Sequence, residues 1–240
     1  MRLFSQLLAD RYAFRVLVRM ARVFTILIFL TASSGSSSTC PPRCQCYDNP
    51  NKPSESAHLI CKWEQGLQNL YSLIIKNAKL STIPNDLFAY TPNLMTLDFT
   101  GNELQTEPYS LLSLRNLIHL DLSNNSIGAF ANTLISLTKL KVLTMDHNRL
   151  TNVDFRRLPQ ELTDLSLRHN FINHIHYVAE SSRNLRRIDL SGNQLGFLAG
   201  YGAVNVLSPS LKQVDLSNNR IAFVQENALA HMKTLAVLDL

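Results

Sequence analysis

The chain has 240 residues, 45% of them hydrophobic and 17% charged, with a formal net charge of +5. That length alone suggests one or two globular domains. The charge is no argument for nucleic-acid binding, which needs a basic stripe on the folded domain. In the first 34 residues Arg2, Arg11, Arg15, Arg19 and Arg22 face Asp10 alone, so the remainder carries only about +1.

Val23 to Leu30, VFTILIFL, is an uninterrupted apolar run. Arg19 and Arg22 precede it, and the small residues Thr31, Ala32, Ser33, Ser34 and Gly35 follow. This is the pattern of a secretory signal peptide, expected over residues 1–34. The run is too short to cross a bilayer, which takes about 20 residues. Read from Met20, the leader has an ordinary length, so Met20 is the expected working start.

All four cysteines, Cys40, Cys44, Cys46 and Cys61, fall in the next segment, residues 35–68. Four cysteines allow three pairings, and the spacing C-x3-C-x-C-x14-C also admits a zinc site. The leader favours disulfides, because exported chains meet an oxidising compartment.

Residues 69–240 repeat one skeleton, L-x-x-L-x-L-x-x-N-x-L. It reads LYSLIIKNAKL from Leu70, LMTLDFTGNEL from Leu94, LIHLDLSNNSI from Leu117 and LKVLTMDHNRL from Leu140. It continues as LTDLSLRHNFI from Leu162, LRRIDLSGNQL from Leu185 and LKQVDLSNNRI from Leu211, and a cut-off copy, LAVLDL, starts at Leu235. Successive copies start 24, 23, 23, 22, 23, 26 and 24 residues apart. A fixed period in this range marks a solenoid. Each unit opens with a strand whose alternate apolar residues face one side. Stacked about 4.8 Å apart, such strands form a parallel sheet with a continuous core behind it. The Asn residues Asn102, Asn125, Asn148, Asn170, Asn193 and Asn219 are expected to form a buried, satisfied column in the turns. The return half of each unit supplies Ile83, Phe88, Leu112, Phe130, Leu137, Phe155, Ile175 and Leu229, in loops with short helical turns. The glycine-containing stretch between Gln194 and Leu211 lacks any phosphate-loop pattern and reads as a bulged return.

From Leu70 to Leu240 the chain resembles the leucine-rich repeat family. The resemblance implies an α/β solenoid, a right-handed superhelix with a parallel concave sheet and a loop or short-helix convex side. CPPRCQC with a later Cys resembles the cysteine-rich N-terminal cap of extracellular members, which implies Cys40–Cys46 and Cys44–Cys61 bridges. A cap is needed because the first strand of a solenoid exposes an edge and an open core. The end at Leu240, inside a strand framework, reads as a fragment. A membrane attachment is expected only through a segment beyond that residue.

The outward strand positions define a concave surface. One column runs Ile74, Asp98, Asp121, Thr144, Ser166, Asp189, Asp215, Asp239. A second runs Ser72, Thr96, His119, Val142, Asp164, Arg187, Gln213, Val237. A third runs Lys76, Thr100, Ser123, Asp146, Arg168, Ser191, Ser217. The expected contact surface is Thr96, Asp98, His119, Asp121, Thr144, Asp146, Asp164, Arg168, Arg187 and Asp189. Arg187 with Asp164, and Arg168 with Asp189, are placed to pair across adjacent strands. His147 and His169 share one site in consecutive units, and His174 and His176 follow. The two pairs lie at different places round the coil with no Cys near, so a solvated or pH-sensitive edge is expected and no metal. Lys139, Lys141, Arg156, Arg157, Arg183, Arg186 and Arg187 gather near three strand entries and raise a glycan as a possible partner. Asn124-Asn125-Ser126 is an N-glycosylation sequon, with Asn124 the acceptor.

No catalytic motif appears. The expected function is protein recognition or adhesion by a secreted or cell-surface chain, with a protein ligand or receptor as partner and no cofactor. The alternatives are the front end of a larger enzyme and a glycan-binding matrix protein. Peptide mapping of secreted chain without reduction should find all four cysteines bridged; free thiols there would reject the oxidised cap.

Overall fold

The computed structural model describes residues 70–89, 91–176, 184–199 and 208–240 in full, and the backbone of four strands ahead of them. Those strands are Ala13–Met20 (β1), Thr25–Thr31 (β2), Cys44–Tyr47 (β3) and His58–Cys61 (β4). The expected leader and cysteine cap otherwise lie outside the described residues, as do the cysteine side chains. The β3–β4 register sets Cys44 opposite Cys61.

The repeats supply Leu70–Ile75 (β5), Thr96–Asp98 (β6), His119–Asp121 (β7) and Val142–Thr144 (β8). Short Asn152–Asp154 (β9) precedes Asp164–Ser166 (β10), and His174–His176 (β11) precedes Arg187–Asp189 (β12). Phe197–Leu198 (β13), Gln213–Asp215 (β14), Phe223–Val224 (β15) and Val237–Asp239 (β16) complete the series. Strands β5, β6, β7, β8, β10, β12, β14 and β16 pair in parallel, each with the next. On the edge of β5, β1 pairs antiparallel and carries β2, making one ten-stranded sheet.

The skeleton explains the sheet. Leu97, Leu120, Leu143, Leu165, Ile188 and Val214 lie in register along its inner face and are all buried. Each such side chain contributes about 1.5–3 kcal/mol on burial. Behind them Phe88, Phe130, Leu137, Phe155 and Ile175 close the core from the return side. Two expected core residues sit differently. Leu112 and Leu229 are only half-buried, and their neighbours Leu111 and Ala228 point inward. Both places fall in turns, where no strand period says which neighbour faces the core.

Among the described residues, the helical component of the returns consists of 3-10 turns at Tyr109–Ser113, Leu134–Ser136 and Phe155–Arg157. Two further parallel ladders, β9 with β11 and β13 with β15, run along the returns. A period near 23 leaves room for little more. Residues 200–207 of the expected bulge lie outside the described residues.

The asparagine column locks coil to coil. In Asn148, Oδ1 accepts from the Ile127 N–H of the preceding coil at 2.9 Å. Its Nδ2 donates to Leu122 O of that coil at 2.9 Å and to Met145 O of its own coil at 3.1 Å. Asn125, Asn170, Asn193 and Asn219 repeat the pattern. Asn102 accepts from both Ala78 N and Leu80 N, so Ala78, which replaces Asn in the first unit, contributes a backbone donor instead.

Glu107 is a buried carboxylate on the return side, 4% exposed. It accepts from the Thr133 hydroxyl and from Ala131 N–H of the next coil. Burial pushes its pKa up from 4.5 to about 7, against the lowering effect of those hydrogen bonds and of Arg157. The folded chain therefore holds a proton that the unfolded chain has released across that interval. The stability this group contributes is fully present below pH 4.5, declines as pH rises to about 7, and is constant above.

Two outcomes are expected. Asn148→Leu orphans Ile127 N–H and leaves Leu122 O and Met145 O with one amide donor each instead of two, and should lower unfolding free energy by about 1–3 kcal/mol; an unchanged denaturation midpoint would contradict the ladder. For Glu107→Gln, denaturation at several pH values should lose a slope worth on the order of 3 kcal/mol, falling with rising pH, that the parent shows between 4.5 and about 7. Identical profiles for variant and parent would rule out the buried proton.

Candidate functional site

The concave face is made by the outward residues of the eight parallel strands. Register places Asp98 beside Asp121, Asp121 beside Thr144, Ser166 beside Asp189 and Asp189 beside Asp215. The second column lines up Thr96, His119, Val142, Asp164, Arg187 and Gln213. Thr96, Asp98, Asp121, Thr144, Asp146, Asp164 and Asp189 are half-buried, and His119, Arg168 and Arg187 are exposed. All ten residues expected to form the contact surface thus lie on one continuous face.

The acidic column is not a row of idle charges. Asp98 accepts from Thr100 N–H at 3.0 Å and from its hydroxyl at 2.6 Å. Asp189 and Asp215 take the same two donors from Ser191 and Ser217. Asp121 accepts from Ser123 N–H at 2.9 Å. Each carboxylate closes a local turn two residues on, the habit of Asp in such positions. The coil that carries Ser166 has no Asp there. Asp146 of the preceding coil replaces it, accepting from Ser166 Oγ at 2.6 Å and Arg168 N–H at 2.8 Å. The repeated Asp-x-Ser/Thr spacing is the sequence signal for this role.

Ion pairs fix the long side chains. Arg187 pairs with Asp164, Arg168 Nε lies 3.6 Å from Asp189, and Lys76 Nζ lies 2.7 Å from Asp98. A shallow depression of about 240 Å³ between β8 and β14 is lined by Thr144, Asp164, Ser166, Arg187, Asp189, Gln213 and Asp215.

At the strand-exit rim Asn77, Gly101, Asn124, His147, His169, Gly192 and Asn218 all have positive φ, between 51° and 74°. Only Asn, Gly and His occupy the column, residue types that tolerate the left-handed region. The His147 and His169 rings stack with centroids 4.5 Å apart. A Cβ at Gly192 would stand 2.5 Å from His169 Nδ1. His174 and His176 sit in β11, on the returns. Among the described residues, no group of three or more His, Cys, Asp or Glu is placed to hold a metal ion.

Of the basic residues expected near the strand entries, Arg156 and Arg157 lie instead on the return side, in the 3-10 turn Phe155–Arg157, and several of the group are engaged. Lys139 Nζ donates to Asn116 Oδ1 at 2.8 Å. Arg156 donates to both oxygens of Asp154, holding that carboxyl below the usual range, and Arg157 donates to Phe130 O. Arg183 lies outside the described residues.

Comparison with known proteins agrees with this geometry. Residues 115–157 match the pattern described as "Leucine Rich repeats (2 copies)", and residues 181–196 match "Leucine Rich repeat". The chain therefore contains leucine-rich repeats, and its solenoid is a leucine-rich repeat fold. A comparison with curated proteins gave no match. Among solved structures, the leucine-rich repeat protein LIC12759 of Leptospira interrogans is 27% identical, with a TM-score of 0.58 over 72% of this chain and 44% of that one. A chain of the LRIM1/APL1C complex is 24% identical, with a TM-score of 0.60 over 72% of this chain and 31% of that one. A chain of the TLR13–ssRNA13 complex is also 24% identical, with a TM-score of 0.57 over 72% of this chain and 23% of that one. This chain thus spans less than half the length of each.

Proposed function

We propose that this chain is an extracellular protein-recognition module, a receptor ectodomain or adhesion protein whose concave face takes a protein ligand. The observation that carries the reading is a broad face of polar and charged side chains already held in place by turn hydrogen bonds and cross-strand ion pairs. Side chains ordered before binding lose less entropy on association. Eight strands at about 4.8 Å span nearly 40 Å, enough for a standard interface of about 800 Å² per partner. The depression at its centre is shallow, which suits a surface contact better than an enclosed small substrate.

The apolar run from Val23 and the four clustered cysteines support an exported chain. Of the similar solved structures, two are of complexes, one of LRIM1 with APL1C and one of TLR13 with ssRNA13. At their identities they speak for the fold alone. The glycan-binding alternative loses weight, because Lys139, Arg156, Arg157 and Arg187 are bonded within the chain.

The test is a screen of the secreted chain, tetramerised, against an array of extracellular proteins, followed by charge reversal. Arg168→Glu with Arg187→Glu should weaken any partner found by about tenfold or more. Arg156→Glu, on the return side, should leave affinity unchanged. Equal losses from both variants, or none from either, would reject the concave face.

A further inference from the structure

We infer that Asn124 carries an N-linked glycan, which stands on the strand-exit rim of the concave face. The inference rests on the extracellular reading above, since the sugar is added in the secretory pathway. In the transfer, Asn124 Nδ2 bonds to the anomeric carbon of a lipid-linked oligosaccharide. It displaces the lipid diphosphate and gives up one proton.

Asn124-Asn125-Ser126 contains two asparagines, and the fold separates their roles. Asn125 is buried, and its amide is spent on Leu104 N, Phe99 O and Leu122 O. Asn124 is exposed. Its backbone is pinned in the left-handed region, φ 53°, and its N–H donates to Asp146 O at 2.8 Å. Among the described residues its side-chain amide enters no hydrogen bond. The backbone is therefore fixed while the acceptor nitrogen faces solvent.

The neighbours on the rim leave room. In the preceding coil the equivalent position is Gly101, which has no side chain, and its open space is taken by Asn77 Oδ1 from the coil before. In the following coil His147 leans away, stacked on His169. A sugar on Asn124 is bounded on one side by Gly101 and the Asn77 amide that covers it, and on the other by the exposed His147. At the opposite, strand-entry rim Tyr71 and Met95 are exposed. A ligand of this face would approach from that rim.

The full chain is to be expressed in secretion-competent animal cells, once with its own N-terminus and once with a proven secretory leader fused ahead of it. The readouts are gel mobility after peptide N-glycosidase and mass spectrometry of the peptide that holds Asn124. The expected result is a mobility shift and a deamidation mark at Asn124. Asn124→Gln and Ser126→Ala should abolish the shift, and Ser126→Thr should keep it. Ser126→Ala leaves the left-handed Asn in place, so it guards against a folding failure of Asn124→Gln. No glycan on the chain with the proven leader, or a shift that survives Ser126→Ala, overturns the site. A glycan that appears only with the proven leader supports the site and overturns the extracellular reading.

Discussion

Every coil of this chain must turn inward at the end of its strand, and a turn toward the core strands backbone N–H and C=O groups away from water. An unpaired buried group of this kind costs as much as a lost hydrogen bond or more. In six successive coils one asparagine resolves the difficulty. Its carboxamide has one acceptor oxygen and a nitrogen with two donors, and the turns offer a matching set. Because Asn148 bonds to Ile127 and Leu122 of the coil before and to Met145 of its own, the solution also ties neighbours together. Leucines attract one coil to the next, but they are indifferent to register. The amides are not, and they set it.

Register in turn makes the concave face. Once adjacent strands are aligned residue for residue, Arg187 stands beside Asp164 and Arg168 reaches Asp189. The carboxylates that look like a repulsive stripe are tied to the turns that follow them. Asp146 shows how strongly the turn demands such a group, since it crosses from the preceding coil to serve the one that lacks its own. The face is therefore preorganised by the same turns that stabilise the stack.

The return side answers to weaker rules. Its coils are closed by 3-10 turns and two-residue or three-residue ladders, whose shortness follows from the period. Glu107 is placed there by packing between coils, where Thr133 and Ala131 reach it from the next unit. Its protonation couples that junction to pH, in a region separate from the concave face.

The sequence by itself did not determine the short return strands β9, β11, β13 and β15, but it did determine the solenoid, the positions of the concave strands, the inward leucines of those strands and the asparagine column. All of these follow from a period repeated eight times, and a repeated pattern averages out local ambiguity. It also placed two outward columns, because a strand alternates its faces and stacked units share one register, whereas in the third Ser123 and Ser191 are buried at the strand exit. Only the tertiary structure decided what the outward residues do. Asp98, Asp189 and Asp215 became turn acceptors, Leu111 displaced Leu112 from the core, and Glu107 became a buried acid. Each of these depends on a partner 2 to 26 residues away or on a turn whose direction no periodicity specifies. The physical reason is one of range: period reports which side of the chain faces inward, whereas hydrogen-bond partnership and desolvation depend on which coil lies against it.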